Sequence, residues 1–224
     1  MCFDAKTSLF TFVLGTVGSL LLIKYGNPQF KKENLIFGIF LLFISSVQFM
    51  DFLIWMDLPN KVGINRLATI IGPLLNKGQP IILWIIKLRY FKPDIWSSSN
   101  LPITLLNGAY AINLIWNYVK FIVARPNNLI TGIKNGHLHW AWLQPEYINP
   151  WFYLLLFAIN IFYLTNWKYS LLFFAITYFF FFLSVTHFSY NIGELWCFFG
   201  AFIPIIMFFL TRRLFLNKFS TLVF

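Results

Sequence analysis

Charge is scarce in this chain. Only 11% of its 224 residues are Asp, Glu, Lys or Arg, and the acidic residues number 7. No hydrophilic stretch is long enough to form a separate soluble domain, so residues 1–224 read as one unit. Cysteine is nearly missing. Cys2 and Cys197 allow at most one disulfide, and no CxxC or metal-knuckle spacing exists. The GxSxG, HExxH and phosphate-binding glycine patterns are absent, which removes those hydrolase and nucleotide readings. The first apolar run, from Ser8 to Leu22, lacks a basic leader and an A-x-A-like cleavage site, so it reads as a retained helix rather than a signal peptide.

What the chain does have is apolar surface. Hydrophobic residues make up 59% and aromatic residues 21%. The apolar runs recur along the whole length, and runs of about 17–25 residues match the ~30 Å hydrocarbon core of a bilayer. Backbone groups in lipid must bond internally, so such runs are helices. The sequence predicts an all-α polytopic membrane bundle of seven spans: Ser8 to Tyr25, Asn34 to Trp55, Val62 to Tyr90, Leu101 to Ala124, Pro150 to Leu164, Tyr169 to Val185, and Ile192 to Leu210. The third is interrupted by Asn76-Lys77-Gly78-Gln79-Pro80, where Gly and Pro mark a kink or break. The longest polar stretch, Asn127 to Asn149, carries Gly136-His137-Leu138-His139-Trp140-Ala141-Trp142, a composition suited to the headgroup zone.

The formal charge is +10. In this setting it reads as basic helix ends against lipid headgroups, not as a nucleic-acid surface. One side of the bundle holds Lys6, Lys61, Arg66, Lys120, Arg125 and Lys134. The other holds Lys24, Lys31, Lys32, Lys87, Arg89, Lys92, Lys168, Arg212, Arg213 and Lys218, with Lys77 left mid-span. The positive-inside rule makes the second side cytoplasmic, with the N-terminus outside and the C-terminus inside. An outside N-terminus argues against palmitoylation of Cys2.

On that topology the outer half gathers nearly every ionisable side chain buried in, or close to, the membrane. Gln48 and Asp51 share one helix face. His187 closes the sixth span, and Glu194 and Cys197 lie in the first turns of the seventh. Charged groups within a span usually face the bundle interior, so Asp51 and Glu194 read as paired acids lining an outward-facing cleft. Gln48 would orient a ligand and His187 would act as a titratable gate. The alternatives are that Asp51 reaches the interface beside Trp55, and that Glu194 sits at a helix N-terminus favoured by the macrodipole. Asn76 and Gln79, in the broken third span, resemble the interruptions through which transporters expose backbone to a substrate. A kinked helix with Lys77 snorkelling is the simpler account. Cys2 and Cys197 lie at similar depth and would form a disulfide in an oxidising compartment, or else remain two buried thiols. Three imidazoles, or two with a carboxylate, could hold zinc. But His137 and His139 share a side only on an extended segment, and no metal site is assigned. The last span has no Lys for a retinal Schiff base.

The opening Met1-Cys2-Phe3-Asp4-Ala5 resembles the Met-Cys-Phe/Trp-Ser-Ala start of a family of small multi-helix membrane proteins from bacteria, algae and large DNA viruses, whose function is uncharacterised. That family also carries a Gln-x-x-Glu pair in the second helix and a Trp-Cys pair in the last, matched here by Gln48 with Asp51 and by Trp196-Cys197. Asp4 replaces the usual Ser and Asp51 the usual Glu. The resemblance implies that the outer polar cluster belongs to a shared plan, and it names no activity.

Three functions remain open from sequence. The first is a membrane protein binding or passing a small solute or cation. The second is an intramembrane metal-dependent enzyme. The third is a structural or assembly protein of a cellular or viral membrane. The bilayer is the one partner the composition demands; no cofactor is indicated, and self-association stays open.

Overall fold

A computed structural model describes residues 4–124, 129–134, 136–142, 150–187 and 192–216. Helices dominate: α1 (Ala5–Tyr25), α2 (Lys31–Met56), α3 (Ile64–Lys77), α4 (Gln79–Phe91), α5 (Leu101–Ala124), α6 (Pro150–Phe162), α7 (Trp167–His187), α8 (Ile192–Gly200) and α9 (Ile203–Leu216). Between α5 and α6 a small hairpin pairs β1 (Gly132–Lys134) antiparallel with β2 (His137–His139).

Four stretches are long and apolar enough to cross a bilayer: α1, α2 with the turn before it, α7, and Trp196–Arg213 through α8 and α9. The expected break in the third span is real. α3 and α4 meet at Gly78 with a 61° bend, and counted as one broken span they add a fifth. Pro80 falls in the first turn of α4, where its missing N–H costs nothing. α5 has 24 residues, but Asn107, Asn113, Asn117 and Lys120 dilute its apolar run. α6 has 13 residues, about 20 Å at ~1.5 Å per residue, which is short of the hydrocarbon core. The last span is interrupted too, by a turn at Ala201 and Phe202 ahead of Pro204.

Helix α2 is the hub, packing on α1, α3, α4, α8 and α9. Its Phe37, Phe40, Leu41 and Ile44 join Phe157, Tyr169, Phe173 and Met207 in the main apolar core. α1 inverts the pattern of a soluble helix. Its buried face is Ser8, Thr11, Gly15, Gly18, Ser19 and Leu22, while Leu9, Phe10, Val13, Val17 and Leu20 are exposed. Lipid is as apolar as leucine, so helix contacts in a bilayer are built from small residues that allow close approach. A Cβ on Gly15 would lie 2.3 Å from Ser45 Oγ, and one on Gly18 would lie 2.7 Å from Ile205 Cγ1. Ile112, Ile115 and Val123 on α5 and Phe179 and Phe182 on α7 extend the outward apolar surface, larger than a water-exposed protein carries.

Two sequence expectations are corrected by packing. The polar stretch after α5 is not simply a headgroup loop, because its described part folds back into the bundle. Leu138 and Trp140 are fully enclosed, and Trp142 is nearly so. Thr131 anchors this segment to α3. Its N–H donates to Asn65 Oδ1 and Thr69 Oγ1, both at 3.0 Å, and its carbonyl accepts from Asn65 Nδ2 at 3.0 Å. With the backbone tied down, the two indoles stack at 5.0 Å between centroids. Trp142 lies so close to Gly72 that a Cβ there would be 2.2 Å from the ring. The second correction concerns Lys87, counted from sequence among the inner basic residues. It is fully buried. Its ammonium donates to the carbonyl of Asn160, to those of Ile161 (2.8 Å) and Tyr163 (2.7 Å), and to Thr165 Oγ1 (3.0 Å). It thus closes the C-terminus of α6, where the free carbonyls and the helix dipole favour a cation.

Candidate functional site

The C-terminal half of α2 places Gln48 and Asp51 on its inward face, and both are buried. Gln48 Oε1 accepts from Thr11 Oγ1 of α1 at 2.9 Å. Its Nε2 is buried and makes no hydrogen bond among the described residues. Asp51 is 0% exposed, and its Oδ1 accepts from the indole Nε1 of Trp140 at 2.7 Å. A carboxylate accepting from an aromatic N–H at this distance makes a short charge-assisted bond. The carboxylate therefore does not open directly to solvent, as the cleft expectation had it; Trp140 covers it.

Asn76, in the last turn of α3, donates from Nδ2 to Cys197 Sγ of α8 at 3.5 Å. Cys197 is buried in the same cluster as Val47, Ala68, Trp140 and Trp142. Gln48, Asp51, Asn76 and Cys197 thus collect in one interior region bounded by α1, α2, α3, α8 and the Trp140–Trp142 segment. His187 ends α7 and Glu194 starts α8, but their side chains lie outside the described residues, as does Cys2.

Gln79 belongs to a different network. It opens α4 beyond the break and accepts from Tyr153 OH at 2.7 Å. Around it, Tyr110 OH donates to the carbonyl of Lys77 at 2.8 Å, and Asn160 Nδ2 donates to the carbonyl of Pro80 at 3.0 Å. Asn107 and Asn160 exchange amide bonds at 3.1 and 2.8 Å. The carbonyls of Lys77 and Pro80 at the break are therefore satisfied by α5 and α6. Of the two readings of this interruption, the geometry matches a stabilised kink better than exposed substrate-binding backbone.

His137 and His139 sit on β2 at alternate positions. Burial, and then the charge of Lys134, push His139 below its ordinary value. No three His, Cys, Asp or Glu side chains converge as metal ligands among the described residues. Sequence reasoning missed Trp140 as the partner of Asp51, Thr11 as that of Gln48, and Lys87 as a cap. The Asn107–Asn160 pair was the most findable, since each asparagine interrupts an apolar run.

Outward apolar side chains, small-residue helix contacts and a hydrogen-bonded polar interior define the class: an integral membrane helical bundle. No protein-family model, curated protein or solved structure matches the chain significantly.

Proposed function

We propose that this protein binds or passes a small solute or cation at an enclosed polar chamber around Asp51 and Gln48, with Trp140 as its cover. The observation that supports this best is the complete burial of the Asp51 carboxylate one turn from a Gln48 amide nitrogen that makes no hydrogen bond among the described residues. An ionisable side chain buried within a span is costly and by default marks a functional position. A buried donor without an acceptor adds about 1–3 kcal/mol. A bound solute carrying a cationic or donor group for Asp51 and an acceptor for Gln48 would offset both costs.

On this reading the seven-crossing arrangement counts α5 and α6 as spans, with the N-terminus outside and the C-terminus cytoplasmic. Glu194 supplies a second acid and His187 a titratable gate. Asn76 contributes a polar wall, whereas Gln79, bonded to Tyr153, holds the helix break apart from the site. Membership of the family the chain resembles accounts for the Gln48–Asp51 and Trp196-Cys197 pairs. The test uses the purified chain in liposomes, with Na⁺, K⁺, H⁺ and methylammonium as probes. Asp51→Asn should abolish flux and binding while the protein stays folded, and Trp140→Phe should speed exchange. Flux and binding equal to wild type in Asp51→Asn would remove the chamber from consideration.

A further inference from the structure

Helix α5 has two faces of opposite character. Asn107, Tyr110, Leu114 and Phe121 are buried against the rest of the bundle. On the other side Leu105, Ala109, Ile112, Trp116, Val119 and Val123 are exposed. Their spacing alternates between four and three residues, the seam repeat of a left-handed helix pair. Lipid alone could cover those side chains, but not Asn113, which is exposed beside Ile112. Asn113 is the thirteenth of the 24 residues of α5. Tyr110, one turn earlier, reaches the Lys77 carbonyl at the break that divides the third span into 14 and 13 residues. With α5 as a crossing, Asn113 therefore faces the middle of the bilayer. Asn117 Nδ2 donates to Asn113 Oδ1 at 3.0 Å and to its backbone carbonyl at 2.7 Å. The Asn113 Nδ2 itself makes no hydrogen bond among the described residues. Acyl chains offer it no acceptor, so the group is costly where it stands.

We infer that this face of α5 docks a second copy of the chain, forming a two-fold dimer in which the two Asn113 amides exchange N–H···O bonds across the axis. A carboxamide carries a donor and an acceptor of opposite partial charge, so it is its own electrostatic complement. A two-fold axis brings the same group of each copy together. The chain already uses this contact inside the bundle, where Asn107 of α5 and Asn160 of α6 exchange amide bonds at 3.1 and 2.8 Å. Ala109, one turn before Asn113, lets the two backbones approach, as small residues do between helices in lipid. Ile112 and Trp116 then pack along the seam on either side of the amides. Asn117 fixes the Asn113 oxygen and leaves its N–H groups for the partner. The inference rests on α5 crossing the bilayer and does not use Asp51.

The test places the full chain, with one fluorophore on a C-terminal tag, in phosphatidylcholine liposomes over a range of protein-to-lipid ratios. Copies per particle are counted by photobleaching. Wild type should pass from one copy to two as the ratio rises, and stop there. Asn113→Leu should move the midpoint to about eightfold higher protein density, the factor for two interhelical hydrogen bonds of average strength. Leu at an outward position leaves the fold intact, and Asn113→Gln should restore pairing. Ala109→Trp keeps the amide but fills the seam, and should also lose the dimer. Asp51→Asn should pair as wild type does, so loss of the chamber leaves this prediction standing. Monomers at every ratio would give the face to lipid and overturn the dimer. So would an unchanged midpoint in Asn113→Leu, or counts that climb beyond two. Rapid labelling of Asn113→Cys by a membrane-impermeant maleimide, beyond the wild-type level, would instead place α5 in water and remove the crossing itself.

Discussion

Replacing Lys87 by Met separates a buried cap from an interfacial lysine. The two side chains have similar length and volume, so the substitution removes the ammonium without opening a large cavity. In the structure that ammonium serves the carbonyls of Asn160, Ile161 and Tyr163. The Ile161 carbonyl keeps other donors, Thr165 Oγ1 at 2.8 Å and Ser170 Oγ at 2.9 Å. The Tyr163 carbonyl keeps only a long contact from Thr165 Oγ1 at 3.4 Å. Two carbonyls are then left poorly satisfied, at about 1–3 kcal/mol each. Relief of the buried ammonium's desolvation returns part of this. The net expectation is a loss of about 2–4 kcal/mol. For a chain of this size that is a fall in melting temperature of roughly 5–10 °C, read in detergent by tryptophan fluorescence against wild type. An inner-interface lysine of the positive-inside kind would cost less than about 1 kcal/mol when neutralised. A Lys87→Met melting temperature within about 2 °C of wild type would therefore refute the capping role.

Two further outcomes follow from the packing and the caps. Gly72→Ala places a methyl where Trp142 now lies, 2.2 Å from the ring. It should displace the indole, costing about 1–3 kcal/mol and shifting tryptophan emission; an unchanged spectrum and melting temperature would show that the segment does not press on α3. Asp57 joins α2 to α3, and its carboxylate accepts from the N–H groups of Val62 (3.2 Å), Ile64 (2.8 Å) and Asn65 (3.4 Å). Burial pushes this carboxyl up, and the amides of Val62, Asn65, Ile64 and Lys61 together hold it below its ordinary value. Because the folded value is depressed, its stabilisation is present above the unfolded value of ~3.9 and fades as pH falls through the folded one. Melting temperature should drop below about pH 4 in wild type, with that part of the drop missing in Asp57→Asn; identical pH profiles would disprove the assignment.

The break at Asn76-Lys77-Gly78-Gln79-Pro80 was legible because Gly and Pro act locally, through backbone freedom and a missing donor. The shared face of Gln48 and Asp51 was legible from helical periodicity. The enclosure of Trp140 was not, since a His- and Trp-rich polar stretch has the same composition at an interface as in a plug. What distinguishes them is Asn65 and Thr69 on α3, which tie Thr131 down from 66 and 62 residues away. Lys87 misled for a similar reason: a lysine near a span end looks like every other interfacial lysine until α6 delivers its carbonyls. The count of spans was blurred by α5 and α6, where asparagines inside apolar runs pair with each other rather than with water.

By itself the sequence determined where this protein lives. Long apolar runs have one low-energy environment, and the helix is the only conformation that satisfies each run's backbone internally. Tertiary structure alone decided which polar group meets which. Trp140 stands 89 residues from Asp51, and no local periodicity encodes that pairing. It arises because bundle interiors exclude water, so a buried donor or acceptor lowers its cost by pairing with whichever chain segment the packing brings close.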